Sequence, residues 1–224
     1  TAIGQRANKH ILYEIDPDSG EPFYRLDLRF TNLRRANLSK GEFQYARMDN
    51  TRLEGAILDG AIFKYADFRR AQLQRTRLKN TIMDNAFFAR TSFQICYAEN
   101  LSLVSSKILY VDIQFSMFRN VNLHKATTRG SNFDLIKLDS VKMSEANICL
   151  TNFTTENCLP QDAIDSCFGC AGTTLPENLN RPQHWHPESL NYLDKQHDAY
   201  EAWKAARAAG GRPPWVAEED WTGW

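Results

Sequence analysis

From Leu28 to Phe153 a large apolar residue returns at every fifth position: 24 of the 26 places in this series are Leu, Ile, Met or Phe, and only Ala98 and Thr128 depart. A small residue often stands two places earlier. In "TNLRRANLSKGEFQYARMDN", residues 31–50, Thr31, Ala36, Gly41 and Ala46 precede Leu33, Leu38, Phe43 and Met48 in this way. A helix turns about 100° per residue, so a spacing of five drifts by about 140° and holds no apolar stripe. A flat strand fails as well, because five is odd and successive large groups would fall on opposite faces. A short extended piece followed by a corner returns both groups to the inside, so the pattern predicts a chain that keeps turning.

The units "TNLRRANLSK" at 31–40 and "ADFRRAQLQR" at 66–75 resemble the pentapeptide-repeat family, whose unit is loosely A(D/N)Lxx. The resemblance covers residues 26–155. It implies an all-β solenoid, a right-handed quadrilateral β-helix with four pentads per coil, so that each side chain stacks above the one 20 residues earlier. At a cross-strand spacing of about 4.8 Å the repeats would form about six and a half coils, roughly 31 Å tall. Applied to this chain, the stacking places Leu33, Leu53, Leu73, Phe93, Ile113, Phe133 and Phe153 in one inner column. Phe43, Phe63 and Met83 begin another. Proline is absent from 23–159, as expected where amide hydrogens join one coil to the next.

The flanks read as closures for the open ends of the stack. Residues 1–25, with "HILYEI" and the turn-rich "DPDSGEP", form the expected N-terminal cap, and 156–224 the C-terminal cap. Within the latter, a helix is expected from about 188 to 209, following Pro187 and stopped by Gly210 and Gly211. Leu190, Leu193, His197, Tyr200 and Trp203 make up its apolar-leaning face. A Trp-rich tail, "PPWVAEEDWTGW", follows it.

Stacking also aligns an outward strip. Ile95, Phe115 and Leu135 share one column, and Tyr97 and Met117 lie in the neighbouring one. These five are the candidate contact residues, as anchors for a protein partner, for another domain of the same chain or for a second copy in a homodimer. Cover by the C-terminal helix is the competing expectation.

Charge refines this picture. The chain is formally neutral, yet 26–155 hold 19 basic and 12 acidic residues while 156–224 hold five and 11. Some members of the resembled family mimic double-stranded DNA and interact with gyrase, which requires an acidic exterior; the basic repeat region departs from that pattern. Arg69, Arg70, Arg75, Arg77 and Arg90 are interrupted by Asp67 and Asp84 and accompany no nucleic-acid module, so nucleic acid is not an expected partner. No apolar run is long enough to cross a bilayer and the first residues lack a secretory pattern, which sets cytoplasmic placement as the expectation.

No acid/base pair, phosphate loop or metalloprotease motif stands out, and neither an enzyme nor a cofactor is expected. Cys167 and Cys170 form a close thiol pair in "SCFGC". With Cys158 and either His184 or His186 they make an alternative zinc set, set against reduced structural cysteines or a disulfide. The reading is a noncatalytic interaction or scaffold domain, with a spacer domain of a longer protein and a gyrase-interacting DNA mimic as alternatives.

Overall fold

The computed structural model describes residues 11–15, 22–153 and 159–224. Strands β1 (Ile11–Ile15) and β2 (Pro22–Leu26) pair antiparallel, Ile11 opposite Leu26, and lead directly into the first coil. From Asp27 onward, parallel bridges join residues 20 apart, beginning with Asp27 to Arg47 and Asn32 to Arg52. Each coil is therefore hydrogen-bonded to the next on all four sides, as in Leu33 N–H to Arg52 O at 2.7 Å and Leu38 N–H to Ile57 O at 2.8 Å.

A corner follows every inward large residue. The residue two places after it adopts positive φ, from Phe30 at 58° to Leu150 at 61°, and a short hydrogen bond closes the turn, such as Ala36 N–H to Leu33 O at 3.1 Å. This is the third-position geometry of a type II turn, which most side chains adopt at some cost. At Gly130 a side chain would also require its neighbour to shift: a Cβ there would lie 2.7 Å from the Tyr110 ring.

Inside, equal side chains stack at about the coil spacing. Phe43 and Phe63 lie face to face at 4.9 Å, Phe68 and Phe88 at 5.1 Å, and Phe63 meets Phe68 edge-on at 5.3 Å. Leu53, Leu73, Phe93, Ile113, Phe133 and Phe153 are buried, while Leu33, near the N-terminal end, is half-buried. The small inner positions do more than leave room. Thr51, Thr91, Ser116 and Ser131 each donate to a carbonyl 23 residues earlier, that of Leu28, Phe68, Phe93 and Ile108, at 2.7 to 2.9 Å. Thr128, the polar exception among the large positions, is paired with the Thr151 hydroxyl at 2.8 Å.

Elsewhere the stack is joined by single-residue bridges, by the pair β4 (Phe87–Ala89) and β6 (Lys107–Leu109), and beyond the Asn120 corner by Val121 opposite Val141 and Asn122 opposite Lys142. The broadest sheet among the described residues joins β3 (Arg77–Lys79), β5 (Tyr97–Glu99), β7 (Met117–Asn122) and β8 (Lys137–Lys142), all parallel.

Beyond Phe153 the ladder continues irregularly, Asn147 bridging Phe168 and Asn152 bridging Thr174. A short helix α1 (Gln161–Asp165) and the longer α2 (Leu193–Ala208) complete the C-terminal cap. Helix α2 begins about five residues later than the sequence suggests. The cause is Arg129, 3% exposed, whose guanidinium binds Leu190 O at 2.9 Å, Asn191 O and the Gln196 side chain, holding 190–192 out of helical form. The inward face also differs from expectation: Gln196, Ala199 and Trp203 are buried, whereas Leu193 and His197 face outward. Gln196 is tolerated inside because its amide donates to Asn147 Oδ1 at 3.1 Å and its oxygen receives Arg129. Trp203 packs against Phe168 at 5.8 Å within a cluster that also takes in Tyr200, Trp215 and Trp224.

Candidate interaction surface

The four-stranded sheet and the corner before it hold the candidate contact residues together. Ile95, Phe115 and Leu135 occupy successive left-handed corners, with φ of 60°, 59° and 53°, and are 52%, 60% and 46% exposed. The corner conformation turns these side chains out of the stack. One residue past the next inward position, Tyr97 and Met117 sit side by side in register on β5 and β7 and are half-buried.

Next on the same sheet comes a column of alternating sign: Asp59, Lys79, Glu99, Arg119 and Asp139. Lys79 Nζ lies 3.1 Å from Glu99 Oε2, and the Tyr97 hydroxyl donates to that same oxygen at 3.1 Å. Lys79 and then Tyr97 hold the Glu99 carboxyl below its ordinary value, with Arg119 adding to the effect. Asp59 receives Arg77 Nε at 2.8 Å. At the far corner, Asn80, Asn100 and Asn120 form an amide ladder with links of 2.8 and 2.7 Å. The strip runs along one edge of a face whose other columns are charged and amide-lined. Sequence reasoning passed over these columns, although a 20-residue reading of positions 59–139 contains them.

Helix α2 does not cover the strip. It lies across the opposite corner, where a cleft of about 700 Å³ is lined by Phe87, Lys107, Lys125, Leu193, His197 and Tyr200 among others. The expectation of cover by the C-terminal helix is therefore corrected: Tyr200 donates to Glu145 O at 2.5 Å and Arg129 clamps 190–196, and both anchors stand away from the Phe115 corner.

With coil geometry and repeat register established, the pentapeptide-repeats family model matches in eight copies, over residues 23–55, 42–75 and 117–154. The chain belongs to the pentapeptide-repeat family. Among solved structures, this pentapeptide-repeat chain is similar to HetL, described as a pentapeptide repeat protein involved in heterocyst differentiation regulation in the cyanobacterium Nostoc. The identity is 16%, over 75% of this chain and 80% of that one, with a TM-score of 0.27. It is also similar to QnrB1, a plasmid-mediated fluoroquinolone resistance protein, at 17% identity over 69% and 83% of the chains, with a TM-score of 0.28. Likeness at this level says nothing of activity. No curated protein matches the chain.

The alternative zinc set does not assemble in this pentapeptide-repeat chain. Cys170 is joined to Cys149 in a disulfide with Cα atoms 5.1 Å apart, which removes its thiolate. Cys149, one place past the inward Ile148, is buried within the C-terminal cluster. Cys167 is buried, donates to Met143 O at 3.0 Å and Ala163 O at 3.1 Å, and burial pushes its thiol up to about 12. His184 Nε2 is committed to Cys167 O at 2.8 Å, and the His186 ring rests 4.8 Å from Trp215. Cys158 lies outside the described residues. Among the described residues no three His, Cys, Asp or Glu side chains are placed to hold a metal ion, and no helix is long and apolar enough to cross a membrane. Cys96 points inward, bound to Leu73 O at 3.0 Å.

Proposed function

We propose that this chain is a protein-interaction or scaffold domain that presents the Ile95–Phe115–Leu135 corner, flanked by Tyr97 and Met117, to a macromolecular partner. One observation carries this reading: three large apolar side chains stand exposed above one another while the chain's own helix occupies the opposite corner. Apolar groups would anchor the partner, and the charged column beside them would orient it. The backbone behind the strip is hydrogen-bonded on both sides, so little ordering cost is incurred when the surface is engaged.

Replacing Phe115 and Met117 together with serine tests this. Association, with itself or with a captured protein, should weaken by about tenfold or more, while thermal stability changes by less than about 1 kcal/mol because both side chains lie outside the core. Unchanged association by a folded double variant overturns the assignment of this face.

A spacer role within a longer protein draws on the stack alone and gives the exposed corner no task. A DNA-mimicking role against gyrase calls for continuous negative charge, and the alternation of Asp59, Lys79, Glu99 and Arg119 weighs against it on this face. The buried Cys149–Cys170 disulfide favours an oxidising compartment over the cytoplasm. Thiol alkylation of freshly isolated native protein checks this: labelling of Cys149 or Cys170 after denaturation without reductant would contradict it.

A further inference from the structure

The face of β3, β5, β7 and β8 presents one residue of each column in every coil, about every 4.8 Å. A surface that meets it at every level needs the same period, and a second copy of this chain has it by construction. Two copies related by a two-fold axis lying in the interface, perpendicular to the solenoid axis, set each column against itself in reverse order.

Apolar overlap alone would centre that axis on Phe115, placing Ile95 against the partner's Leu135. The charged column forbids this register, since Arg119 would then meet the partner's Arg119, and Glu99 the partner's Asp139. Moving the axis midway between the Ile95 and Phe115 coils reverses every sign. Ile95 then meets the partner's Phe115, Tyr97 the partner's Met117, Glu99 the partner's Arg119 and Lys79 the partner's Asp139. Asn100 and Asn120 face each other as amides, and Leu135 lies along the stem of the partner's Arg75. One like-charged approach remains, Arg77 towards the partner's Lys137, and Asp59 already holds Arg77 aside at 2.8 Å.

We propose that this chain forms an antiparallel homodimer through this face, with its two-fold axis between the Ile95 and Phe115 coils. The inference rests on the proposed interaction role and specifies the partner for the same face. Four strands present a patch at or below the low end of stable interfaces, about 1,200 Å² in total, so the dimer is weak and reversible, with dissociation in the range of about 10 to 100 µM.

Sedimentation equilibrium of the full chain from about 1 to 500 µM should show a shift towards twice 25.7 kDa. Glu99→Arg alone and Arg119→Glu alone should each weaken self-association by about tenfold or more, because each places like charges across both halves of the interface. An equimolar mixture of the two variants should associate as tightly as the wild type. In the mixed pair one copy carries arginine at both positions and the other glutamate at both, so opposite charges meet across each half. If either variant melts early, Lys79→Glu mixed with Asp139→Lys repeats the test on the second pair. A wild type that stays monomeric throughout, single variants that dimerise normally, or folded variants whose mixture fails to recover would each overturn the dimer. A monomer that still loses capture of another protein on Phe115→Ser/Met117→Ser would overturn this inference and leave the proposed interaction role standing.

Discussion

The corner bearing Phe115 and the corner beneath α2 are built from the same hydrogen-bonded coils, yet one meets solvent and the other a helix. Apolar content does not explain the choice. The surface buried against α2 includes the polar Arg129 and Asn147, while the exposed corner carries Ile95, Phe115 and Leu135. Specific anchors decide where α2 docks: the Arg129 clamp, Gln196 on Asn147, Tyr200 on Glu145 O, and Arg207 on Ser166 O at 2.9 Å. Trp203 then fills the space above Phe168 and the disulfide. A helix tethered to the end of the stack is directed by where its polar groups are satisfied, and the exposed corner is left for another molecule.

Loss of the stack itself should erase the comparison. Leu73→Asp places an unpaired carboxylate in the inner column, at a fully buried site, and should cost about 5 kcal/mol or more, seen as collapse of the thermal transition. A wild-type melting temperature would contradict the inward placement of Leu73.

Loosening the cap should separate the two corners. Arg129→Met strands the carbonyls of Leu190 and Asn191 and the Gln196 oxygen, at a cost of about 2 to 4 kcal/mol localised to 190–208. Hydrogen exchange should accelerate in α2 and stay slow in β5 and β7; equal acceleration in both would mean the corners are coupled. Opening the Cys149–Cys170 bond by Cys149→Ala/Cys170→Ala frees a 21-residue separation and should cost about 3 kcal/mol, again in the cap. Denaturant unfolding with no loss of cap stability would contradict that role.

The smallest expected effect is acidic. Burial, with Arg207 assisting, holds His184 below its ordinary value of 6.5, so the ring is neutral in the folded cap. As pH falls through about 6.5 the unfolded chain takes up a proton that the folded chain refuses, so stability complete above this range declines below it by up to about 1.4 kcal/mol per pH unit. Tryptophan emission should report earlier acid opening in the wild type than in His184→Gln, and parallel profiles would remove His184 as the cause.

The coils were legible because each pentad reports independently on its inward residue, and any slip of one place between Leu28 and Phe153 would have broken the series. The outward column followed from the same arithmetic, which is why Ile95, Phe115 and Leu135 could be aligned from the sequence alone. The cap obeyed no such period. Arg129 reads as an ordinary outward pentad residue, and nothing local to it signals that 190–192 will close over its guanidinium. Gln196 reads as polar surface, yet its two bonds make it interior. Cys149 stands one place past Ile148, an outward position that becomes buried only because an irregular later turn brings Phe168 and Cys170 across it.

Hydroxyl-radical footprinting of the dilute chain, followed by the same measurement at high concentration, tests the division between the corners most directly. Ile95, Phe115 and Met117 should oxidise readily when dilute and become protected on association, while Trp203 stays protected throughout. Protection of Phe115 in the dilute chain, or an oxidation pattern at the strip that ignores concentration and partner alike, would contradict the account.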